Sequence, residues 1–242
     1  VIPARYASSR FPGKPLALIG DKPMIQWVYE AATKAAQIEE VLVATDHEAI
    51  FKKVNGFGGK AIMTASDLPS GTDRVYQAVK NEQADIIINL QGDEPFVSAS
   101  LLDSLVNVFK DKSIRIATPV TLIKTQMEVS DPNIVKVVRD SNGFALYFSR
   151  AAIPYHRDNS NYNNVDYQPY FKHIGIYAYS KSCLEQLTNL AESSLEKAER
   201  LEQLRFIENG YKIFTILTDY NSISVDTPDD LEKVNQMLQE KK

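Results

Sequence analysis

Cysteine occurs once, at position 183, in a chain of 242 residues. No intrachain disulfide can form, and this usage suits a reducing cytoplasm. No apolar run approaches the roughly 20 residues of a membrane span, so none is expected. No charged leader precedes an apolar stretch, so no secretory signal is read. The chain opens on Val1-Ile2-Pro3 without methionine, as if a first strand began upstream. A basic excess is also missing. The net charge is −4, with 27 Lys and Arg against 31 Asp and Glu. Proteins that grip nucleic acid by its phosphates usually carry the opposite balance, so that class is set aside. A small anionic ligand stays possible, because local clusters decide it. Repeats and clear linkers are absent too. The length fits one large α/β domain, or one domain with a sizeable insertion.

Hydrophobic residues make up 44% and charged residues 24%, enough for a full core. Short β-rich runs alternate with helical ones. Val41 to Thr45, Lys60 to Thr64 and Asp85 to Leu90 read as strands. Helices are expected at Pro23 to Ala36, His47 to Val54, Thr72 to Asn81 and Ser98 to Lys110. This rhythm predicts a mostly parallel central sheet with helices on both faces. The pattern then changes. Asn133 to Arg139 and Phe144 to Ser149 read as a hairpin around Asp140-Ser-Asn-Gly143. His173 to Tyr179 reads as one further strand. Helices Lys181 to Leu190 and Ser194 to Asn209 follow, then strands at Tyr211 to Thr218 and Ser222 to Val225, and a last helix. Residues from about 130 to 180 are therefore expected to form a smaller β-rich lobe inserted in a single domain spanning 1–242.

Three places carry candidate chemistry. The loop from Ala4 to Lys14 follows the first strand, where α/β sheets place ligands. It offers Arg5, Arg10 and Lys14, the hydroxyls of Ser8 and Ser9, and a glycine at 13. A triphosphate calls for cations, hydroxyls and backbone amides together. The loop has neither Walker A nor dinucleotide-binding spacing. Its plain alternative is a solvated basic loop. Asp93 and Asp226 each follow an apolar run, at the ligand end of a strand. Hard carboxylates there suit Mg²⁺, which takes one or two protein carboxylates beside phosphate and water. For Asp226 the alternative is an ordinary helix start, with Thr227 as cap and Pro228 in the first turn. Asp46, which also ends a strand, reads as a cap. Lastly, Glu199, Glu202 and Gln203 share a face of one expected helix by spacing. A solvated charge stripe, a core His173 and a packing Tyr177 are the alternatives there.

Taken together, these segments resemble the 3-deoxy-manno-octulosonate (Kdo) cytidylyltransferases. The stretches are Ile2 to Pro15, Val43-Ala-Thr-Asp46, Ser70-Gly-Thr-Asp-Arg74, Asn89-Leu-Gln-Gly-Asp-Glu-Pro95, Ala145-Leu-Tyr-Phe-Ser-Arg150, His173-Ile-Gly-Ile-Tyr177, Leu201-Glu-Gln-Leu-Arg205 and Val225-Asp-Thr-Pro228. They run in family order over nearly the whole chain. The first motif is shared loosely by many sugar nucleotidyltransferases, whereas Leu-Tyr-Phe-Ser-Arg and Leu-Glu-Gln-Leu-Arg are far more specific.

The resemblance implies a nucleotide-diphospho-sugar transferase-like fold and a reaction in which CTP and Kdo give CMP-Kdo and pyrophosphate. It further implies Mg²⁺, a cytoplasmic homodimer with the inserted lobe at the contact, and a place in lipopolysaccharide or capsule synthesis. Ala4, Arg5, Ser8, Arg10 and Lys14 would bind CTP, the last four at its phosphates, with Arg74 near the nucleotide. Gln91 and Asp93 would lie between nucleotide and sugar, and Asp93 and Asp226 would hold the metal. Lys14, Arg10 and Asp93 would carry catalysis. Arg150, Arg157, His173, Tyr177, Glu202 and Gln203 would form the sugar pocket. The chemistry agrees, since guanidinium forks suit a sugar carboxylate and mixed donors and acceptors suit its hydroxyls. The histidine that often precedes Ser-Gly-Thr in the family is missing from Ser66-Asp-Leu-Pro-Ser70, so its contact is not carried over. The Asn159 to Tyr167 loop matches no motif. An 8-amino-Kdo or sialic acid substrate, a glycosyltransferase and a non-catalytic nucleotide sensor are the competing readings.

Overall fold

A computed structural model describes residues 1–7, 11–157 and 170–240. Ser8, Arg10 and the Asn159 to Tyr167 loop lie outside the described residues. The chain forms two compact units, Val1–Val106 with Ser222–Lys242, and Asn107–Asn221.

The first unit runs β1 (Ile2–Ala4), a small hairpin of β2 (Leu18–Ile19) and β3 (Lys22–Pro23), α1 (Met24–Ala32), β4 (Val43–Thr45), α2 (Glu48–Gly56), β5 (Ala61–Met63), α3 (Gly71–Val79), β6 (Ile86–Asn89) and α4 (Ala99–Asn107). Strands β1, β4 and β5 pair in parallel in that order, with Ile2 opposite Val43 and Val43 opposite Ala61. Consecutive βα units produce this arrangement, because a helix must cross over between parallel neighbours. The Leu90 N–H just after β6 donates to the Val1 carbonyl at 3.0 Å. Apolar side chains such as Ile2, Ile25, Val28, Val43, Ile50 and Val75 are fully buried. On α1 the buried set Met24, Ile25, Val28 and Ala32 makes one helical stripe. Ser70 caps α3 by accepting the Asp73 N–H at 3.1 Å. At α2 the cap is His47, whose Nδ1 accepts the Ala49 N–H at 3.2 Å. Asp46, expected as the cap, is left for another partner.

The second unit runs β7 (Ile116–Leu122), α5 (Gln126–Ser130), β8 (Lys136–Arg139), β9 (Ala145–Ser149), β10 (Phe171–His173), β11 (Tyr177–Ser180), α6 (Lys181–Thr188), α7 (Ser194–Glu199), α8 (Gln203–Glu208) and β12 (Phe214–Leu217). Its centre is β7, with β12 parallel on one side and β10 and β11 antiparallel on the other. Beyond β10 lie β8 and then β9, the expected hairpin.

Two expectations change here. The single strand at His173 to Tyr179 is split into β10 and β11. The split falls opposite Pro119 of β7, whose missing N–H would have pointed into that gap; its carbonyl accepts the Ile174 N–H there at 3.0 Å. The proline therefore costs the ladder nothing. The single helix at Ser194 to Asn209 is also broken. Arg200 adopts the left-handed conformation, φ 55° and ψ 46°, between α7 and α8. Arg205 then ties the two pieces together, donating Nε and Nη2 to the two Glu196 carboxylate oxygens at 2.7 and 2.6 Å.

The chain returns to the first unit through Ser222 to Val225, which forms no strand, and ends in α9 (Pro228–Glu240). Val234 of α9 packs with Ile19, Met24 and Val225. Thr227 caps the helix, accepting the Asp230 N–H at 3.2 Å while Asp230 accepts the Thr227 N–H at 3.0 Å.

Candidate functional site

In the first unit the N-terminal loop is closed by its own backbone. The Gly13 N–H donates to the Tyr6 carbonyl at 2.9 Å. Gly13 sits at φ 71°, where a side chain would be strained. The turn lifts Lys14 into a single 3₁₀ turn, Lys14–Leu16. Its Nζ lies 2.6 Å from Asp93 Oδ2 and 3.1 Å from Asp226 Oδ1. Burial pulls the ammonium pKa down, but the two carboxylates outweigh it, and the net shift is upward.

Both acids are placed by backbone. Asp93 follows β6 through Gly92, where a Cβ would stand 3.2 Å from the Pro3 carbonyl oxygen. The Asp93 carbonyl accepts the Val225 N–H at 3.0 Å, which fixes the strand end beside the segment leading to Asp226. Two carboxylates thus converge on one cation. Among the described residues no cluster of three or more metal-ligating side chains occurs. A pair suits Mg²⁺, which fills its remaining positions from phosphate and water.

The other predicted residues of this unit are distributed around that pair. Ala4 is buried at the end of β1. Arg5 Nη2 donates to the Leu68 carbonyl at 2.8 Å, and Gln91 Nε2 to Asn89 Oδ1 at 3.3 Å. Arg74 is fully buried. Its Nη2 meets Asp46 Oδ2 at 2.8 Å and its Nη1 the Thr64 hydroxyl, while Nε has no partner. Its guanidinium therefore ties together the residues that follow β4 and β5. Burial lowers its pKa, against the pull of Asp46.

The second unit gathers most of the predicted sugar residues. Arg150 is fixed by its Nε donating to the Glu199 carbonyl at 2.8 Å and Nη1 to the Pro132 carbonyl at 3.0 Å. The Glu199 carboxylate accepts the Arg150 N–H at 2.9 Å and the Ser149 hydroxyl at 2.5 Å. Lys136, fully buried, donates to the carbonyls of Asp131, Ile134 and Arg150 at 2.7, 2.6 and 2.6 Å. His173 Nε2 lies 3.0 Å from Thr118 Oγ1, and its ring packs against Phe148 and Tyr177. Burial pushes the His173 pKa down to about 3, so the ring is neutral at physiological pH. Tyr177 is buried; its hydroxyl makes no well-aligned hydrogen bond but lies near the Thr118 hydroxyl. Burial, then the charges of Tyr179 and Glu202, hold that phenol well above its ordinary pKa, against a slight downward pull from the Thr118 hydroxyl. Gln203 is buried at the start of α8, Glu202 half-buried just before it, and Arg157 exposed.

Sequence reasoning missed Lys136 and Thr118. A lysine inside the apolar run Val135-Lys-Val-Val138 was the available signal, since a charge on a strand face facing the core needs a buried partner. Thr118 carried none.

The profile of the cytidylyltransferase family matches residues 1–213. The chain is 48% identical over 250 residues to a 3-deoxy-manno-octulosonate cytidylyltransferase of Thermodesulfovibrio yellowstonii, covering 98% of this chain and 96% of the relative. It is 45% identical over 243 residues to an 8-amino-3,8-dideoxy-manno-octulosonate cytidylyltransferase of a Shewanella species, covering 98% and 97%. Among solved structures, CMP:2-keto-3-deoxy-manno-octonic acid synthetase complexed with CTP superposes with a TM-score of 0.92 at 45% identity, covering 100% of this chain and 98% of that one.

Proposed function

Because this chain belongs to the cytidylyltransferase family, we propose that it couples CTP to Kdo, giving CMP-Kdo and pyrophosphate. The anomeric hydroxyl attacks the α-phosphorus, a new P–O bond forms, the α–β bridge breaks and the hydroxyl proton is released. The observation that carries the reading is Lys14 held between Asp93 and Asp226. One site thus presents a cation for phosphate oxygens and two carboxylates for a divalent ion. Asp93 and Asp226 would hold Mg²⁺, which when bound offsets charge on the triphosphate. Lys14, with Arg5, Ser8 and Arg10 of the same loop, would bind and orient the phosphates, and Asp93 would favour loss of the attacking proton. In the second unit, Arg150 and Arg157 would meet the sugar carboxylate. Neutral His173, Tyr177, Glu202 and Gln203 would read its hydroxyls.

The same reading includes a homodimer, with residues from about 130 to 180 at the contact. The exposed apolar side chains Leu146 and Tyr155 support it, since they leave apolar surface for a partner copy to cover. It also includes a role in lipopolysaccharide or capsule synthesis in the cytoplasm. An 8-amino substrate is the second reading, favoured by the 45% identity to the Shewanella relative. The test is pyrophosphate release with each nucleoside triphosphate, Mg²⁺ and a panel of acid sugars that includes both. In that assay Asp93→Ala should lose on the order of 10²–10³ in kcat with an unchanged circular dichroism spectrum. Full turnover by the folded variant would remove Asp93 from the mechanism.

A further inference from the structure

Thr118 lies mid-way along β7 with no exposed surface. Its Oγ1 faces the Ile176 carbonyl at 2.8 Å, the Ile174 carbonyl at 3.2 Å and His173 Nε2 at 3.0 Å. The Tyr177 hydroxyl is also near enough to be felt by the Thr118 hydroxyl, and as a donor it can share the Oγ1 lone pairs with Nε2–H. A hydroxyl has one proton to give, and carbonyl oxygens only accept. The Ile174 carbonyl already takes the Ile176 N–H at 2.7 Å. The Thr118 proton therefore goes to the Ile176 oxygen, which is also the nearest. That leaves Oγ1 lone pairs facing His173 Nε2, a contact that is attractive only if Nε2 carries a hydrogen. In the opposite arrangement Thr118 would donate to a bare Nε2. Two oxygens would then stand 2.8 Å apart with no proton between them.

We infer that Thr118 is a positioning residue that holds His173 in its Nε2–H tautomer, leaving Nδ1 as an acceptor dedicated to a sugar hydroxyl. Burial keeps the ring neutral, so one tautomer can dominate. Nδ1 has no hydrogen-bond partner among the described residues. An acceptor at that point favours a donor on the substrate and disfavours an anionic group. The substrate part of this inference rests on the sugar pocket of the proposed function, whereas the tautomer does not.

The experiment is ¹⁵N NMR of the full-length protein with labelled histidine, in which the chain's three histidines are resolved by assigning His173 through His173→Gln. Wild type should show the Nε2–H pattern. Thr118→Val, which keeps the shape and removes the hydroxyl, should show a mixture or the Nδ1–H form, and Thr118→Ser should restore the wild-type pattern. In kinetics, Thr118→Val should raise KM for the acid sugar about tenfold with KM for CTP unchanged, and Thr118→Ser should rescue it. A wild-type Nδ1–H pattern, or an unaltered tautomer in Thr118→Val, overturns the inference. A shifted tautomer with an unmoved sugar KM overturns its substrate part. Since the NMR needs no substrate, absence of cytidylyl transfer would refute the proposed function and leave the tautomer to its own measurement.

Discussion

Lys136→Met removes a buried ammonium and keeps most of the stem volume. The loss can be worked from three contacts. Nζ donates to the carbonyls of Asp131, Ile134 and Arg150 at 2.7, 2.6 and 2.6 Å. A hydrogen bond to a charged group contributes about 1.5–3 kcal/mol, so the three are a substantial gross loss. Against it stands the cost of burying the ammonium, several kcal/mol, which methionine does not incur. The net destabilisation should be about 2–4 kcal/mol. For a chain of this size each kcal/mol moves Tm by roughly 2–4 °C, so Tm should fall by about 4–16 °C. Urea unfolding followed by far-ultraviolet circular dichroism measures it. The single tryptophan, Trp27, lies in the first unit and its fluorescence gives an internal control. The same clamp fixes the Arg150 backbone, so KM for the acid sugar should rise with KM for CTP unchanged. A loss under about 1 kcal/mol would mean that the three carbonyls do not depend on the lysine, and the reasoning would fail.

Other outcomes follow from single groups. His173 has a folded pKa of about 3, below its ordinary 6.5. The unfolded chain therefore binds more protons between those values, and stability should fall by about 1.4 kcal/mol per pH unit as pH drops through that window. His173→Gln should flatten this slope in urea titrations from pH 7 to 4.5. Gly92→Ala places a Cβ 3.2 Å from the Pro3 carbonyl oxygen, which is backbone and cannot swing aside. It should cost about 1–3 kcal/mol in thermal melts and lower pyrophosphate release by displacing Asp93. Wild-type values in both assays would show the turn to be slack. Arg200, at φ 55°, strains a side chain. Arg200→Gly should be neutral within about 0.5 kcal/mol, because relieved strain offsets the freer unfolded chain. Arg200→Val should lose more than about 1 kcal/mol, and equal stabilities would contradict the strain.

Local chemistry made much of the first unit readable. Alternation of apolar runs and turn residues located β4, β5 and β6, and the strand-end rule marked Asp93. The strand expected before Asp226 does not form, and Asp226 comes beside Asp93 through the Val225 N–H on the Asp93 carbonyl instead. That Lys14 would join them was not readable, since the partners lie 79 and 212 positions away and meet only through the fold. Asp46 shows the same limit. Its position before α2 suggested a cap, but His47 takes that place and Asp46 goes to Arg74, a choice made by a helix 28 residues on. Strand β7 was missed altogether. Pro119 argues against a central strand, and only the interruption between β10 and β11 makes it acceptable. The residues proposed for the sugar were chosen by motif, while Lys136 and the Glu199 carboxylate hold Arg150 through its backbone and Thr118 meets His173 by a lone hydroxyl, contacts that carry no motif.

The left-handed turn at Arg200 has an evolutionary consequence. In an unbroken helix Glu199 and Glu202 would share a face, and any change at one would disturb the other. The turn separates them. Glu199 is committed to Ser149 and Arg150, while Glu202 is close enough to Tyr177 to act on its phenol. If 202 and 203 meet the sugar as proposed, substitutions there can drift toward a different sugar without loosening the scaffold that 199 maintains, so preference and stability are separable within five residues.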